Sequence, residues 1–149
     1  MTADLDAVRR LAAADHGLAV VAVARGDGSV QASVVNAGVL DDPVTGRPAV
    51  GLVALGGAVK LRLLRREPRA TVVFRAGWEW VAVEGPTRLV GPDDLPEGFT
   101  AEQVPQLLRN VFTAAGGTHD DWDEYDRVMA AERRTAVFVE PARISGIRR

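Results

Sequence analysis

Short valine-rich runs, separated by clusters of Gly, Pro, Asp and Ser, dominate the chain and predict β-strands joined by turns. Residues 18–24 and 30–40 flank Gly26-Asp27-Gly28-Ser29, which predicts a hairpin. The loop 41–48 carries the Asp, Pro and Gly that stop strands, and it leads into a third apolar run, 49–55, expected to lie antiparallel to the second. Two more runs, 70–74 and 78–89, are parted by the turn Arg75-Ala76-Gly77. Within the later run Gly85-Pro86 predicts a bulge or bend, because proline cannot donate to a ladder. A last run, 135–139, precedes a short basic tail.

Helical spacing appears between these runs. Leu5, Val8, Leu11 and Ala12 follow Thr2 and Asp4, predicting a short amphipathic helix that closes near Gly17 and covers one end of a sheet. Residues 58–66 place Val59 with Leu63 and Leu61 with Leu64, giving a short helix that ends before Pro68. After a Pro/Gly/Asp-rich link, 91–98, Thr100-Ala101-Glu102-Gln103 has the capping-box pattern. Val104, Leu107, Leu108, Val111 and Phe112 then lay an apolar stripe that ends at Gly116-Gly117. A further helix is expected over 120–134, acidic at Asp120, Asp121 and Asp123 and basic at Arg133 and Arg134, as the helix dipole favours. Many short antiparallel strands and few long helices predict a mainly β, α+β fold, a closed or partly closed barrel rather than a doubly wound sheet.

Composition narrows the function classes. A length of 149 residues is that of one domain, taken as 1–149, with room for a core of its own. With 47% hydrophobic and 26% charged residues and a net charge of −2, no nucleic-acid partner and no anionic membrane is expected. The absence of cysteine excludes disulfides, a thiolate nucleophile and a cysteine zinc site. His16 and His119 match no ligand spacing, so no metal is expected. The acidic start and the shortness of the apolar runs predict a soluble, cytoplasmic protein.

Most catalytic motifs are missing: no G-x-S-x-G, no P-loop, no H-E-x-x-H, and no G-x-G-x-x-G between a strand and a helix. The acidic run 120–124 lacks the alternating ligands of a calcium loop. One local signal remains. Gly56-Gly57-Ala58-Val59-Lys60 closes a strand and opens a helix, so free backbone N–H groups and an ammonium converge where a phosphate or carboxylate can approach. A lysine in the first helical turn opposes the dipole at about 0.3–1 kcal/mol, which a bound anion would offset. Arg62, Arg65, Arg66 and Arg69 extend the positive field, although the same residues also read as a solvated basic face. Trp78 and Trp80, either side of Glu79, share a strand face where they could pack in a core, fill an interface or stack on a flat ring.

The segment Lys60-Leu61-Arg62-Leu63-Leu64-Arg65-Arg66-Glu67-Pro68-Arg69-Ala70 resembles the K-x-R-N-L-R-R-D-P-R-V/A signature of the pyridoxamine 5'-phosphate oxidase-like, FMN-binding split-barrel family, and its actinobacterial deazaflavin-dependent branch most of all. Residues 77–85, Gly77 to Gly85, are similar to that family's G-W-x-x-x-x-V-E-G strand. Asp121 to Tyr125, followed by Arg133-Arg134 and an apolar strand, and the hairpin at 27–33 fall in the expected order.

The resemblance implies a homodimer of six-stranded antiparallel split β-barrels with peripheral helices, holding its cofactors in clefts between the subunits. It implies that Lys60 binds the cofactor phosphate beside the loop residues Gly57 and Ala58. Val53 would lie near the ring system, and the backbone of Ser33, Val34, Val35 and Asn36 would face its edge. Trp78 and Trp80 would line the pocket. Ala58 stands where close relatives carry an arginine, and Leu63 where the signature has asparagine. The implied activity is an oxidoreductase passing hydride from reduced coenzyme F-420 to an unsaturated or conjugated small-molecule substrate. An FMN-dependent oxidoreductase and a non-catalytic flavin-binding protein are the alternatives.

Overall fold

Alternation within the valine-rich runs becomes the two-sidedness of a barrel wall. The computed structural model describes residues 4–147, so Thr2 of the expected helix start and Arg148 and Arg149 of the basic tail lie outside the described residues. Strand β1 (Leu18–Ala24) buries Ala19, Val21 and Val23 and turns Leu18 and Val20 outward. With β2 (Val30–Asp41), β3 (Pro48–Ala54), β4 (Arg69–Ala76), β5 (Glu79–Val90) and β6 (Thr135–Val139) it forms an antiparallel ring in the order β4-β1-β2-β3-β6-β5, closed by β4 pairing with β5. This is the α+β split barrel that the strand pattern and the resemblance predict.

The expected bend at Gly85-Pro86 has a definite role. β5 runs unbroken through it but changes partner on one edge: Thr87 to Val90 pair with β6, while Trp80 to Glu84 pair with β7 (Arg143–Ile147). A Cβ on Gly85 would stand 1.7 Å from the Glu140 carbonyl oxygen, so only glycine lets the chain cross there. β7 replaces the expected tail. Its sequence, Arg-Ile-Ser-Gly-Ile, carries too little apolar alternation to announce a strand, and it is recruited by the edge of β5 that β6 leaves unpaired.

Helix α1 (Leu5–Ala14) is capped by Asp4, whose carboxylate accepts the Ala7 N–H at 2.9 Å, and packs Val8 and Leu11 into the barrel core. Helix α2 (Val59–Arg66) contributes Leu61 and Leu64 to that core, beside Leu52, Val72 and Phe74. A second apolar layer lies outside the barrel. There α3 (Val104–Ala114) buries Leu107, Leu108 and Val111 against Ala136 and Phe138 of β6. Gly38 lets the end of α3 approach β2, since a Cβ there would stand 2.1 Å from the Ala114 carbonyl oxygen.

Helix α4 (Trp122–Ala131) is shorter than its acidic and basic ends suggested. Asp121 caps it, accepting the Glu124 N–H at 3.1 Å. At the other end Arg133 adopts a left-handed φ of 50°, and the Arg133 and Arg134 amides bond back to Ala130 and Met129. That 6→1 and 5→2 pair terminates the helix before the arginines. Among the described residues no helix is long and apolar enough to cross a membrane, and no group of three or more metal-ligating side chains assembles.

Candidate functional site

Strands β2 and β3 pair from Asp41↔Pro48 to Ala37↔Leu52 and then part. β2 stays with β1, ending at Leu18↔Asn36, and β3 stays with β6, ending at Ala54↔Thr135. Had the ladder continued, Asn36, Val35 and Val34 would have faced Val53, Ala54 and Leu55. Those six residues instead line the two sides of a fork enclosing about 390 Å³. Backbone groups that would have bonded across the ladder are left facing the opening, where a flat polar-edged molecule can meet them. Val111, Phe112 and Ala115 of the α3 end, with Tyr125 and Met129 of α4, close the outer wall.

The charge in the fork is all of one sign. Lys60, the chain's only lysine, lines it together with Arg134, and among the described residues no carboxylate does. Topology brings the two cations together, because antiparallel pairing sets the end of β3, which leads into α2, beside the start of β6. The Gly56 amide then ties the turn after β3 to the Glu132 carbonyl at 3.0 Å. Lys60 is half-buried and has no hydrogen-bond or ion-pair partner among the described residues. Burial pushes its ammonium below the ordinary lysine range, and the positive charge of Arg134 pushes it the same way.

Five of the residues expected at the site, Val34, Val35, Asn36, Val53 and Lys60, meet in this fork. Gly57 and Ala58 form the turn just beside it: Gly57 has a φ of 83°, and the Ala58 amide bonds to the Leu55 carbonyl. Ala58 opens α2 without a side-chain cap, so the first turn keeps unpaired N–H groups. The Ser33 side chain is paired opposite Val21 on the barrel-facing side, with its hydroxyl buried and unpartnered. Trp78 and Trp80 do not line the fork of their own chain. They line a separate open hollow with Val73 and Arg75.

That hollow belongs to an apolar outer face. Val34, Val20, Val73 and Ala82 stand opposite one another in register across four strands, and Val34 is 68% and Trp78 81% exposed. Since Val34 also lines the fork, the face and the fork meet at one residue.

Several lining residues escaped sequence reasoning. Phe112, Trp122 and Tyr125 form an edge-to-face and tilted aromatic group with His119, with centroids 5.1 to 6.4 Å apart. The Tyr125 hydroxyl donates to the Leu108 carbonyl at 3.0 Å, and burial pushes its pKa up to about 12. The phenol therefore remains neutral and pins α4 to α3. Arg109 and Asp126 form a second strut between these helices, at 2.6 Å.

No family model matches the sequence. The solved structures similar to this chain include the conserved hypothetical protein Rv2991 of Mycobacterium tuberculosis, with TM-score 0.65 and 18% identity over 92% of this chain and 81% of the other. Another is a pyridoxamine 5'-phosphate oxidase-related, FMN binding protein of Nostoc punctiforme, with TM-score 0.63 and 11% identity over 95% and 79%. The chain shares their split-barrel fold. An F-420 reductase is also similar, with TM-score 0.58 and 14% identity over 89% of this chain and 91% of that one.

Proposed function

We propose that this split barrel binds a flavin-type cofactor in the fork between β2 and β3 and works as an oxidoreductase. The observation that carries the reading is the fork itself, lined by two cations and, among the described residues, by no carboxylate, with apolar walls and unpaired strand edges along its length. Those features fit a flat heteroaromatic ring with an anionic tail. The fold shared with an FMN-binding protein and an F-420 reductase supports it.

When bound, such a cofactor supplies two-electron hydride transfer, with hydride passing to one carbon of a conjugated double bond and a proton to the other. The chain's own residues bind, orient and dry the site. Lys60 holds the phosphate, with Gly57 and Ala58 keeping the approach free of side chains. Val34, Val35 and Asn36, which Ser33 precedes on β2, offer backbone groups to the ring edge, and Val53 packs against the ring. Tyr125, with its proton committed to Leu108, is a strut and not an acid.

The finer reading is reduced coenzyme F-420 acting on an unsaturated or conjugated small molecule, as the Lys60 to Ala70 signature implies. FMN is a second reading, favoured by the two cations at the fork, which match the dianionic charge of a phosphate monoester. We further propose a cytoplasmic homodimer of one-domain subunits, in which the apolar outer face pairs with a second copy and brings Trp78 and Trp80 to the partner's fork. Titration of F-420 and FMN against the protein, followed by tryptophan fluorescence, tests the choice. Saturable F-420 binding is expected, and binding of FMN alone would transfer the reading to FMN.

A further inference from the structure

We propose that Arg134 is a second anion-binding residue of the fork, forming with Lys60 a two-cation clamp for a phosphoryl group. The inference deepens the cofactor reading above and rests on it for the identity of the ligand. Its geometry stands independently. Arg134 and Lys60 come from distant parts of the chain and line one cleft, on elements tied by the Gly56 to Glu132 hydrogen bond. Arg134 is half-buried, and its Nε donates to Glu132 at 2.9 Å. Among the described residues its two Nη groups have no hydrogen-bond partner. Glu132 anchors the guanidinium by one edge and leaves the outer donors for a ligand.

Glu132 offsets Arg134 along its Nε edge only, and among the described residues no acid pairs with Lys60. Asp93 is taken by Arg133 and Asp94 by Arg65, both outside the fork lining. Asp126, behind α4, is paired with Arg109. The two half-buried cations repel each other, and burial first, then this repulsion, lowers the proton affinity of Lys60. An anion between them removes that repulsion and gains charge-assisted hydrogen bonds from both. The planar guanidinium suits the oxygens of a phosphoryl group, whereas the lysine acts as a point charge.

Because Lys60 is the only lysine, its ammonium gives one unambiguous resonance in protein carrying isotope-labelled lysine. Its titration would be followed with inorganic phosphate, FMN, F-420 and riboflavin, in the native chain and in Arg134→Gln. Inorganic phosphate is expected to raise the Lys60 pKa in the native chain. Arg134→Gln is expected to raise it without ligand and to weaken phosphate and the phosphate-bearing cofactor by about tenfold or more, leaving riboflavin unchanged. Labelled arginine in the native chain gives a second readout that needs no variant: the Arg134 guanidinium resonance should move with that of Lys60 as phosphate is added. The clamp is overturned if phosphate leaves the Arg134 resonance unmoved, or if Arg134→Gln alters neither Lys60 nor phosphate affinity. Phosphate binding that depends on Arg134, with no binding of FMN or F-420, keeps the clamp and removes the cofactor reading. Cofactor binding indifferent to Arg134 does the reverse.

Discussion

The Gly56 amide donates to the Glu132 carbonyl at 3.0 Å, joining the turn after β3 to the end of α4. This contact sets the charged end of the fork, because Lys60 follows Gly56 and Arg134 follows Glu132. A Cβ at position 56 would stand 2.6 Å from the Arg133 carbonyl oxygen and 2.7 Å from the Glu132 carbonyl oxygen, both backbone atoms. Gly56→Ala is therefore expected to destabilise the fold by about 1–3 kcal/mol in urea unfolding and to weaken cofactor binding by parting the two cations.

Lys60 makes stability depend on pH with a definite sign. Its folded pKa lies below the ordinary value of 10.5, so between the two the unfolded chain binds more protons and stability rises with pH. Below the folded pKa the penalty of the half-buried charge is present in full. Lys60→Met should remove that rise and leave neutral-pH stability equal or higher, and urea unfolding from neutral to alkaline pH checks it.

Tyr125 acts in the opposite direction. The folded phenol titrates near 12 and the free one near 10, so the stability it contributes is complete below about pH 10 and is lost as pH rises toward 12. Tyr125→Phe should abolish this alkaline loss while costing about 0.5–1.5 kcal/mol at neutral pH through the missing bond to Leu108. Tyr125 is the only tyrosine, so phenolate absorbance reports its titration directly.

Much of this architecture was legible in the residues. The valine runs and their Gly, Pro and Asp boundaries place six strands and four helices, and Gly85-Pro86 marks where β5 changes partner. β7 was not legible, because Arg143 to Ile147 is a strand only by virtue of the free edge beside it. For the site, the glycine turn with Lys60 is a local signal and could be read. Arg134, Phe112 and Tyr125 reach the fork only through the β3–β6 register and the packing of α3 and α4, which no local spacing encodes. Trp78 sits in the turn between β4 and β5, so its place on the outer face follows from that hairpin rather than from strand alternation around Glu79.

Arg133 occupies a left-handed position that glycine usually fills at a helix end. Glycine there relieves about 1 kcal/mol of backbone strain, and the pair with Asp93 that it removes is exposed to solvent and contributes little. Arg133→Gly should thus be near neutral, whereas Arg133→Val should be clearly destabilising, as thermal unfolding of the two variants would read.

The outer face makes a prediction about assembly. Val34→Glu places a carboxylate at the most exposed point of the Val34, Val20, Val73, Ala82 row, where a second copy is proposed to sit. Sedimentation should find a dimer in the native chain and a folded monomer in the variant, with cofactor affinity falling in parallel.

Equilibrium titration of FMN, F-420 and riboflavin against the native chain and Lys60→Ala tests whether the fork holds the cofactor. The fork predicts saturable, stoichiometric binding of a phosphate-bearing cofactor that Lys60→Ala weakens by about tenfold or more, with riboflavin affinity unaltered and the fold intact. Absence of saturable binding of both FMN and F-420 to the native chain, or binding that Lys60→Ala leaves unchanged, would contradict it.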